Sequence, residues 1–280
     1  MNDLAKDISK KSKSSFYYTF SLLPPIKRDA MNTVYAFCRT TDDIVDEGNE
    51  DDNIKYEKLR KWTIEFDKSL HGNSDYFLLN KLSQIIHKFN IPVEPFFELI
   101  KGVEMDLQKK RFSTTEDLLD YCYKVASTVG LMCIEIFGYK NNSAKNYAIN
   151  LGLAMQLTNI IRDVKKDALN GRIYLPSEDL KKFSYTEEEL LGNVYNNNFV
   201  ELMTHESKTA RGYFYKADES LDMNDRKNLF AARAMQHIYS RLLDKIEQKK
   251  FNVFSNSINV SKFEKVFIAV GVWAKYRLVY

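Results

Sequence analysis

Residues 152–167 read GLAMQLTNIIRDVKKD, and this stretch decides the fold. At about 100° per helical residue, Gly152, Gln156, Asn159, Asp163 and Asp167 fall within roughly 80° of arc. One stripe of an otherwise apolar helix therefore carries two amides and two carboxylates. Oxygen donors without His or Cys among them suit Mg²⁺ better than zinc or iron.

A second stretch, residues 35–48, reads YAFCRTTDDIVDEG. In a helix, Tyr35, Arg39, Asp42 and Asp46 lie within about 60° of one another, with Asp43 on the flank. Gly48 and Gly171 are placed as C-terminal stops. Both helices then carry carboxylates in their last turns, where the negative end of the dipole disfavours each by about 0.3 to 1 kcal/mol. A divalent cation reverses that sign.

Working outward, the chain of 280 residues has only 5 Pro and 10 Gly, while 18 Phe and 17 Tyr can fill a large core. Long segments follow the helical period, and strand-like alternation is scarce, so the sequence predicts an all-α, single-domain helical bundle over residues 1–280. Its 41 basic and 38 acidic residues leave a net charge of +3, which argues against nucleic acid as a partner. Cys38, Cys122 and Cys133 lack metal spacing and are expected as buried, reduced thiols. The N-terminus has no apolar signal region, and the late apolar run 266–274, between Lys265 and Lys275, is too short to span a bilayer. A soluble, cytoplasmic protein is expected, with peripheral membrane contact if its ligands are lipids.

Pro24 and Pro25 precede the first acidic helix, and Glu47, Glu50, Asp51 and Asp52 beyond it are expected to be solvated. Helical patterns follow at 53–70 and 75–90, and Pro92 and Pro95 mark the start of a helix containing Gly102 and Asp106. Asp106 is either half exposed or a polar contact in the cavity. A long apolar helix is predicted from the Thr cap near 114 to Gly138, with small residues Ala126, Ser127 and Gly130 as close packing or as a pocket wall. Residues 181–200 are expected as a surface connection with a short helix, then helices at about 200–222, 226–248 and from about 260. Tyr239, taken alone, reads as core.

The motifs YAFCRTTDDIVD, GVEMDL, YCYKVASTVG, QLTNIIRDVKKD and GRIYLP, with SKSSF before them and HIYSRLLDKI after, together resemble the squalene and phytoene synthase family over nearly the whole chain. The resemblance implies the isoprenoid synthase fold around a central apolar cavity and a head-to-head (1'-1) condensation of two prenyl diphosphates through a cyclopropyl diphosphate. It implies a Mg²⁺ shell of two or three ions on Asp42, Asp46, Asn159, Asp163 and Asp167. Substrate would be held by Ser12, Lys13, Ser14, Ser15, Tyr35, Arg39, Gln156, Arg162 and Tyr239, with Arg39 and Arg162 on phosphate and Tyr121 near the reacting centre.

Where family members often read His-Ser-Lys-Ser-Phe, this chain has Ser12-Lys13-Ser14-Ser15-Phe16, which leaves open which hydroxyl meets the diphosphate. Within the family it is most similar to bacterial 4,4'-diapophytoene (dehydrosqualene) synthases, which use two farnesyl diphosphates in carotenoid biosynthesis and imply no NADPH. The alternatives are a phytoene synthase using geranylgeranyl diphosphate and an NADPH-dependent squalene synthase; eukaryotic squalene synthases carry a C-terminal membrane anchor, which is not expected here. Di-iron bundles need Glu-x-x-His, and none of His71, His87, His205 and His237 has Glu three residues before it. The non-enzyme rival is a helical interaction protein with solvated Asp clusters.

Overall fold

The chain turns at Pro24 and enters a helix at Pro25, where a missing N–H costs nothing because first-turn donors lack intrahelical partners. This helix, α2 (Pro25–Asp46), follows a short α1 (Ser15–Phe20) in the computed structural model, which describes residues 15–48, 50–72, 74–108, 110–255 and 257–278. Then come α3 (Asp52–Ser69), α4 (Phe77–Phe89), α5 (Glu94–Gln108) and α6 (Thr115–Cys122). A π-helical segment (Tyr123–Ser127) joins α6 to α7 (Thr128–Phe137), and α8 (Ser143–Leu169) follows. The chain continues through α9 (Ser177–Lys182), α10 (Glu187–Leu191), α11 (Asn197–Ser220), a 3-10 turn (Met223–Asp225), α12 (Phe230–Gln248) and α13 (Lys262–Leu278). The fold is all-α, and among the described residues the only β feature is an isolated bridge between Arg111 and Ile173.

The central element is α8, whose 27 residues give it a length of about 40 Å. It packs most extensively on α11 and also meets α7, α12 and the π-helical segment. Gly48 and Gly171 adopt φ of +82° and +73° just beyond the acidic helices, where a residue without Cβ turns the chain at no steric cost. Phe37, Phe66 and Phe96 form an aromatic knot with ring centroids 5.1–5.5 Å apart. Cys38, Cys122 and Cys133 are buried and free.

The long helix expected from 114 to 138 is interrupted. Thr114 caps it, accepting from the Asp117 N–H, and Gly138 ends it, but residues 123–127 widen into the π form. Such a turn displaces the usual hydrogen bonds. Thr128 Oγ1 donates to the Lys124 carbonyl at 2.6 Å, and Ser127 Oγ donates to the Ile149 carbonyl of α8 at 2.8 Å. Two glycines let the widened turn fit. A Cβ on Gly102 of α5 would stand 2.7 Å from the Lys124 Cβ, and one on Gly152 of α8 would stand 2.5 Å from the Ser127 Cα.

Residues 181–200 contain the expected short helix, α10, but are more than a surface connection, because Tyr185, Leu190 and Phe199 are buried and Thr186 with Glu189 forms a capping box. The loop after α8 lies across residues 110–113. Ile173 N–H donates to the Lys110 carbonyl, Ser177 N–H to the Phe112 carbonyl, and Arg111 Nη1 to the Gly171 carbonyl. That crossing places Arg172 and Tyr174 beside the ends of α2, α5 and α8.

Candidate active site

A cavity of about 280 Å³ runs between α2, α7, α8 and α12, flanked by Phe16 and Phe20 of α1. Val34, Cys38, Val129, Leu151 and Met155 make its walls apolar, and Ala126, Gly130, Ala148 and Gly152 leave the space that larger side chains would fill. Gly130 and Gly152 also bring helices together, so close packing and a pocket wall are one feature. Toward the C-terminal ends of α2 and α8 the lining becomes polar: Tyr35, Arg39 and Asp42 meet Gln156, Asn159 and Tyr239. Six residues singled out in the sequence thus converge on one cavity from three helices. Tyr239 lines the cavity rather than serving the core alone.

Beyond this polar end lie the remaining carboxylates. Burial pushes the Asp42 carboxyl up to about 7, helped by Asp46 and Asp106 and opposed by Arg39. Burial likewise raises Asp167 to about 7, helped by Asp163 and opposed by Lys166 and Arg172. Asp106 also bears on Asp167, so the acidic ends of α2, α5 and α8 face a common space. Arginines hold two of these groups: Arg172 Nη1 donates to Asp46 at 2.8 Å, and Arg162 Nε to Asp163 at 2.8 Å. Arg39 pairs with Asp43 at 2.5 Å.

Of the five predicted metal ligands, Asp42 and Asn159 line the cavity, while Asp46, Asp163 and Asp167 stand behind it. Among the described residues, no three acidic, His or Cys side chains come close enough to hold an ion unaided. The donor chemistry nonetheless fits a hard dication. Asn159 Oδ1 is buried without a hydrogen-bond partner, although its amide nitrogen donates to Gln156 Oε1 at 3.2 Å. Mg²⁺ commonly takes one or two carboxylates and fills its octahedron with phosphate oxygens and water, so a closed protein cage is not required.

Tyr121 does not line the cavity. It is buried among the acidic ends, donating to Asp106 Oδ2 at 3.0 Å and lying 3.3 Å from the Tyr174 hydroxyl, which itself donates to Asp106 Oδ1 at 2.6 Å. Phe112 stacks on Tyr174 with ring centroids 5.7 Å apart. Burial raises Asp106 despite Arg172 and both tyrosines, and burial followed by Asp106 pushes the Tyr121 hydroxyl well above its ordinary range. At Arg172, burial is outweighed by Asp106, Tyr174 and Asp46, which keep the guanidinium charged. Asp106 thus matches neither alternative of the sequence reading: it is largely buried, yet it meets Tyr121 and Tyr174 behind the cavity rather than lining it. Tyr174 and Arg172 contact Asp106 and Asp46 in a way that helical periodicity could not find, and their only local signal was the GRIYLP motif. Ser12, Lys13 and Ser14 lie outside the described residues, and Ser15 begins α1. Phe16 of that helix packs on Tyr35, with centroids 5.8 Å apart.

Residues 9–264 match the family model for squalene/phytoene synthase. The chain belongs to the squalene/phytoene synthase family. Its similarity to other squalene/phytoene synthases runs end to end. It is 32% identical to the 15-cis-phytoene synthase of Synechococcus elongatus, over 93% of this chain and 88% of that one. The 15-cis-phytoene synthase of Synechocystis sp. is also 32% identical, over 99% and 86%. Among solved structures, a dehydrosqualene synthase in complex with a ligand superposes with a TM-score of 0.85 at 32% identity, covering 99% of this chain and 96% of that one. Squalene synthase HpnC from Alicyclobacillus acidocaldarius gives 0.80 at 25% identity, with 89% and 95% covered. Members of this family are prenyltransferases of isoprenoid and carotenoid biosynthesis that act on prenyl diphosphates. Among the described residues, no helix is long and apolar enough to cross a membrane.

Proposed function

We propose that this protein joins two farnesyl diphosphates head to head, through a cyclopropyl diphosphate, to give 4,4'-diapophytoene in a Mg²⁺-dependent reaction that uses no NADPH. The observation that carries this reading is the length of the cavity below its polar end. Asp42 and Met31 both line it, 11 helical steps apart along α2 and so about 16 Å, and Asn159 and Tyr147 line it 12 steps apart along α8, about 18 Å. Extended chains gain about 1.2 Å per skeletal bond, so a farnesyl tail needs roughly 14 Å and a geranylgeranyl tail roughly 19 Å. Both spans exceed the shorter tail, while the longer tail exceeds the α2 span by about 3 Å and the α8 span by about 1 Å, which favours the C15 substrate.

Asp42, Asn159 and Asp163, with Asp46 and Asp167, would hold Mg²⁺. When bound there, the ion supplies Lewis-acid neutralisation of the diphosphate leaving group. Arg39 and Arg162 bind phosphate oxygens, each exchanging an Asp partner for the substrate. Loss of diphosphate from one allylic C1 leaves a cation, which the C2–C3 double bond of the second substrate attacks; a proton leaves and the cyclopropane closes. Departure of the second diphosphate opens that ring, and loss of a further proton, rather than gain of hydride, gives the conjugated product. Tyr35, Tyr239 and Phe20 present aromatic faces worth about 0.5 to 2 kcal/mol each to a cation, and the apolar walls exclude water. Tyr121 keeps its proton, and Asp106 with Tyr174 fixes its orientation.

A second reading, condensation of two geranylgeranyl diphosphates to phytoene, is favoured by the names of the relatives at 32% identity. Incubation with Mg²⁺ and either the C15 or the C20 diphosphate, with and without NADPH, followed by mass analysis of the hydrocarbon, separates the two. A C30 product from the C15 substrate without NADPH is expected. A C40 product from the C20 substrate alone moves the protein to the second reading, and no hydrocarbon from either overturns both.

A further inference from the structure

The sequence run between Lys265 and Lys275, too short to span a bilayer, acquires a different meaning on α13. This helix is apolar on two opposite faces. Ala269, Val272 and Tyr276 pack inward against Ala234 and Phe230 of α12 and against Leu22. On the other side Phe263, Val266, Phe267 and Val270 follow the helical spacing and point outward. Phe263 is 89% exposed and Phe267 81%, the highest values among the large apolar side chains of the described residues. A contiguous stripe of this kind marks a docking surface, unlike apolar residues scattered singly.

The charges beside the stripe indicate what docks. Lys262 and Lys275, both exposed, flank it on opposite sides at the two ends of the helix. The one acid on α13, Glu264, is already engaged: Lys245 Nζ donates to it at 2.6 Å, and Arg241 lies 3.4 Å away. The edges of the apolar face are therefore cationic, the pattern of a helix that lies in the boundary of an anionic bilayer with its apolar face among the acyl chains. A two-fold pairing of this face with a second copy is disfavoured by the same charges, because an isologous contact would set lysine ends against lysine ends. The helices that α13 rests on, α1 and α12, are also walls of the cavity through Phe16, Phe20, Met235 and Tyr239.

We propose that the outer face of α13, centred on Phe263 and Phe267 and edged by Lys262 and Lys275, rests on an anionic phospholipid surface. The proposal stands on exposure and charge and does not depend on which prenyl diphosphate is condensed. Through α1 and α12, the surface lies next to the cavity in which an apolar product would form.

The test is sedimentation of the full chain with vesicles of phosphatidylcholine alone or mixed with phosphatidylglycerol, at low and high salt. The parent should pellet with the mixed vesicles and be released by salt. F263S/F267S should bind at least about tenfold more weakly, since each exposed ring that enters lipid contributes more than one order of magnitude. K262E/K275E should lose the preference for phosphatidylglycerol. An unchanged melting temperature for these exposed substitutions assigns the loss to the surface. Equal vesicle binding by parent and both variants overturns the proposal. So does a parent that ignores vesicles but sediments as a dimer split by F263S/F267S.

Discussion

Replacing Gly152 by Ala tests how the cavity is built. The added Cβ would stand 2.5 Å from the Ser127 Cα, 2.7 Å from its nitrogen and 2.9 Å from the Ala126 carbonyl carbon. All three are backbone atoms of the π-helical segment, so no rotamer change relieves the contact. Carbon pairs rest at about 3.5 to 4.0 Å, which requires α8 and the segment to part by roughly 1 Å. Overpacking of this kind costs about 1 to 3 kcal/mol or more, against about 1 kcal/mol gained from the better helix propensity of alanine. The expected net loss of up to about 2 kcal/mol lowers the melting temperature by up to roughly 8 °C in a domain of this size. Gly212 of α11 is the control. A Cβ there meets nothing within 4 Å, so Gly212→Ala should raise stability by about 0.5 to 1 kcal/mol. Scanning calorimetry of the two variants beside the parent reads both signs. Gly152→Ala melting at or above the parent would refute the clamp on the π-helical segment. Because Ala126 and Val125 of that segment line the cavity, Gly152→Ala should also lower turnover at temperatures where it is folded.

Three further outcomes concern the chemistry. Asp42→Ala or Asp163→Ala should lower turnover by about 100-fold or more at saturating Mg²⁺, the usual consequence of removing a preorganised electrostatic group; near-parent rates would count against the metal assignment. Tyr121→Phe and Asp106→Asn should reduce kcat while leaving KM for the diphosphate near the parent value, because neither residue lines the cavity; a pure KM effect would place them in substrate binding instead. The pH dependence follows from Asp42 and Asp167, both raised to about 7 in the metal-free protein. Their folded values lie above the unfolded value near 4, so the fold binds more protons and loses stability as pH rises from about 4 to about 7. At pH 6 a proton must leave before Mg²⁺ enters. Titration of Mg²⁺ with a diphosphate analogue should therefore show tighter binding at pH 8 than at pH 6, and the reverse order would exclude these carboxylates as ligands.

The parts of the site legible in the sequence are those set by one helix at a time. Tyr35, Arg39 and Asp42 share a face of α2, and Gln156 and Asn159 share a face of α8, because three- and four-residue spacings place side chains together before any tertiary contact forms. Gly48, Gly138 and Gly171 were readable for the same local reason, since each ends a periodic run in a conformation that disfavours a Cβ. What was not legible depends on partners distant in the chain. Tyr121 meets Asp106 and Tyr174 only because the loop after α8 crosses residues 110–113, and no periodicity reports such a crossing. The widened turn at 123–127 has no signature in YKVAS itself; room for it comes from Gly102 and Gly152, one on each side. The outward phenylalanines of α13 were hidden because an apolar run in sequence does not say which of its faces is covered.

The central claim, that the acidic ends of α2 and α8 gather Mg²⁺ and diphosphate above an apolar cavity, is tested most directly by thermal shift. Three samples are compared: Mg²⁺ alone, a non-hydrolysable farnesyl diphosphate analogue alone, and the two together. A ligand at 100 times its Kd stabilises by about 2.7 kcal/mol, or roughly 5 to 11 °C here. That rise is expected only when both are present, and it should vanish in Asp42→Asn/Asp163→Asn. A combined shift no larger than the separate ones, or one that survives in the double variant, would contradict the account.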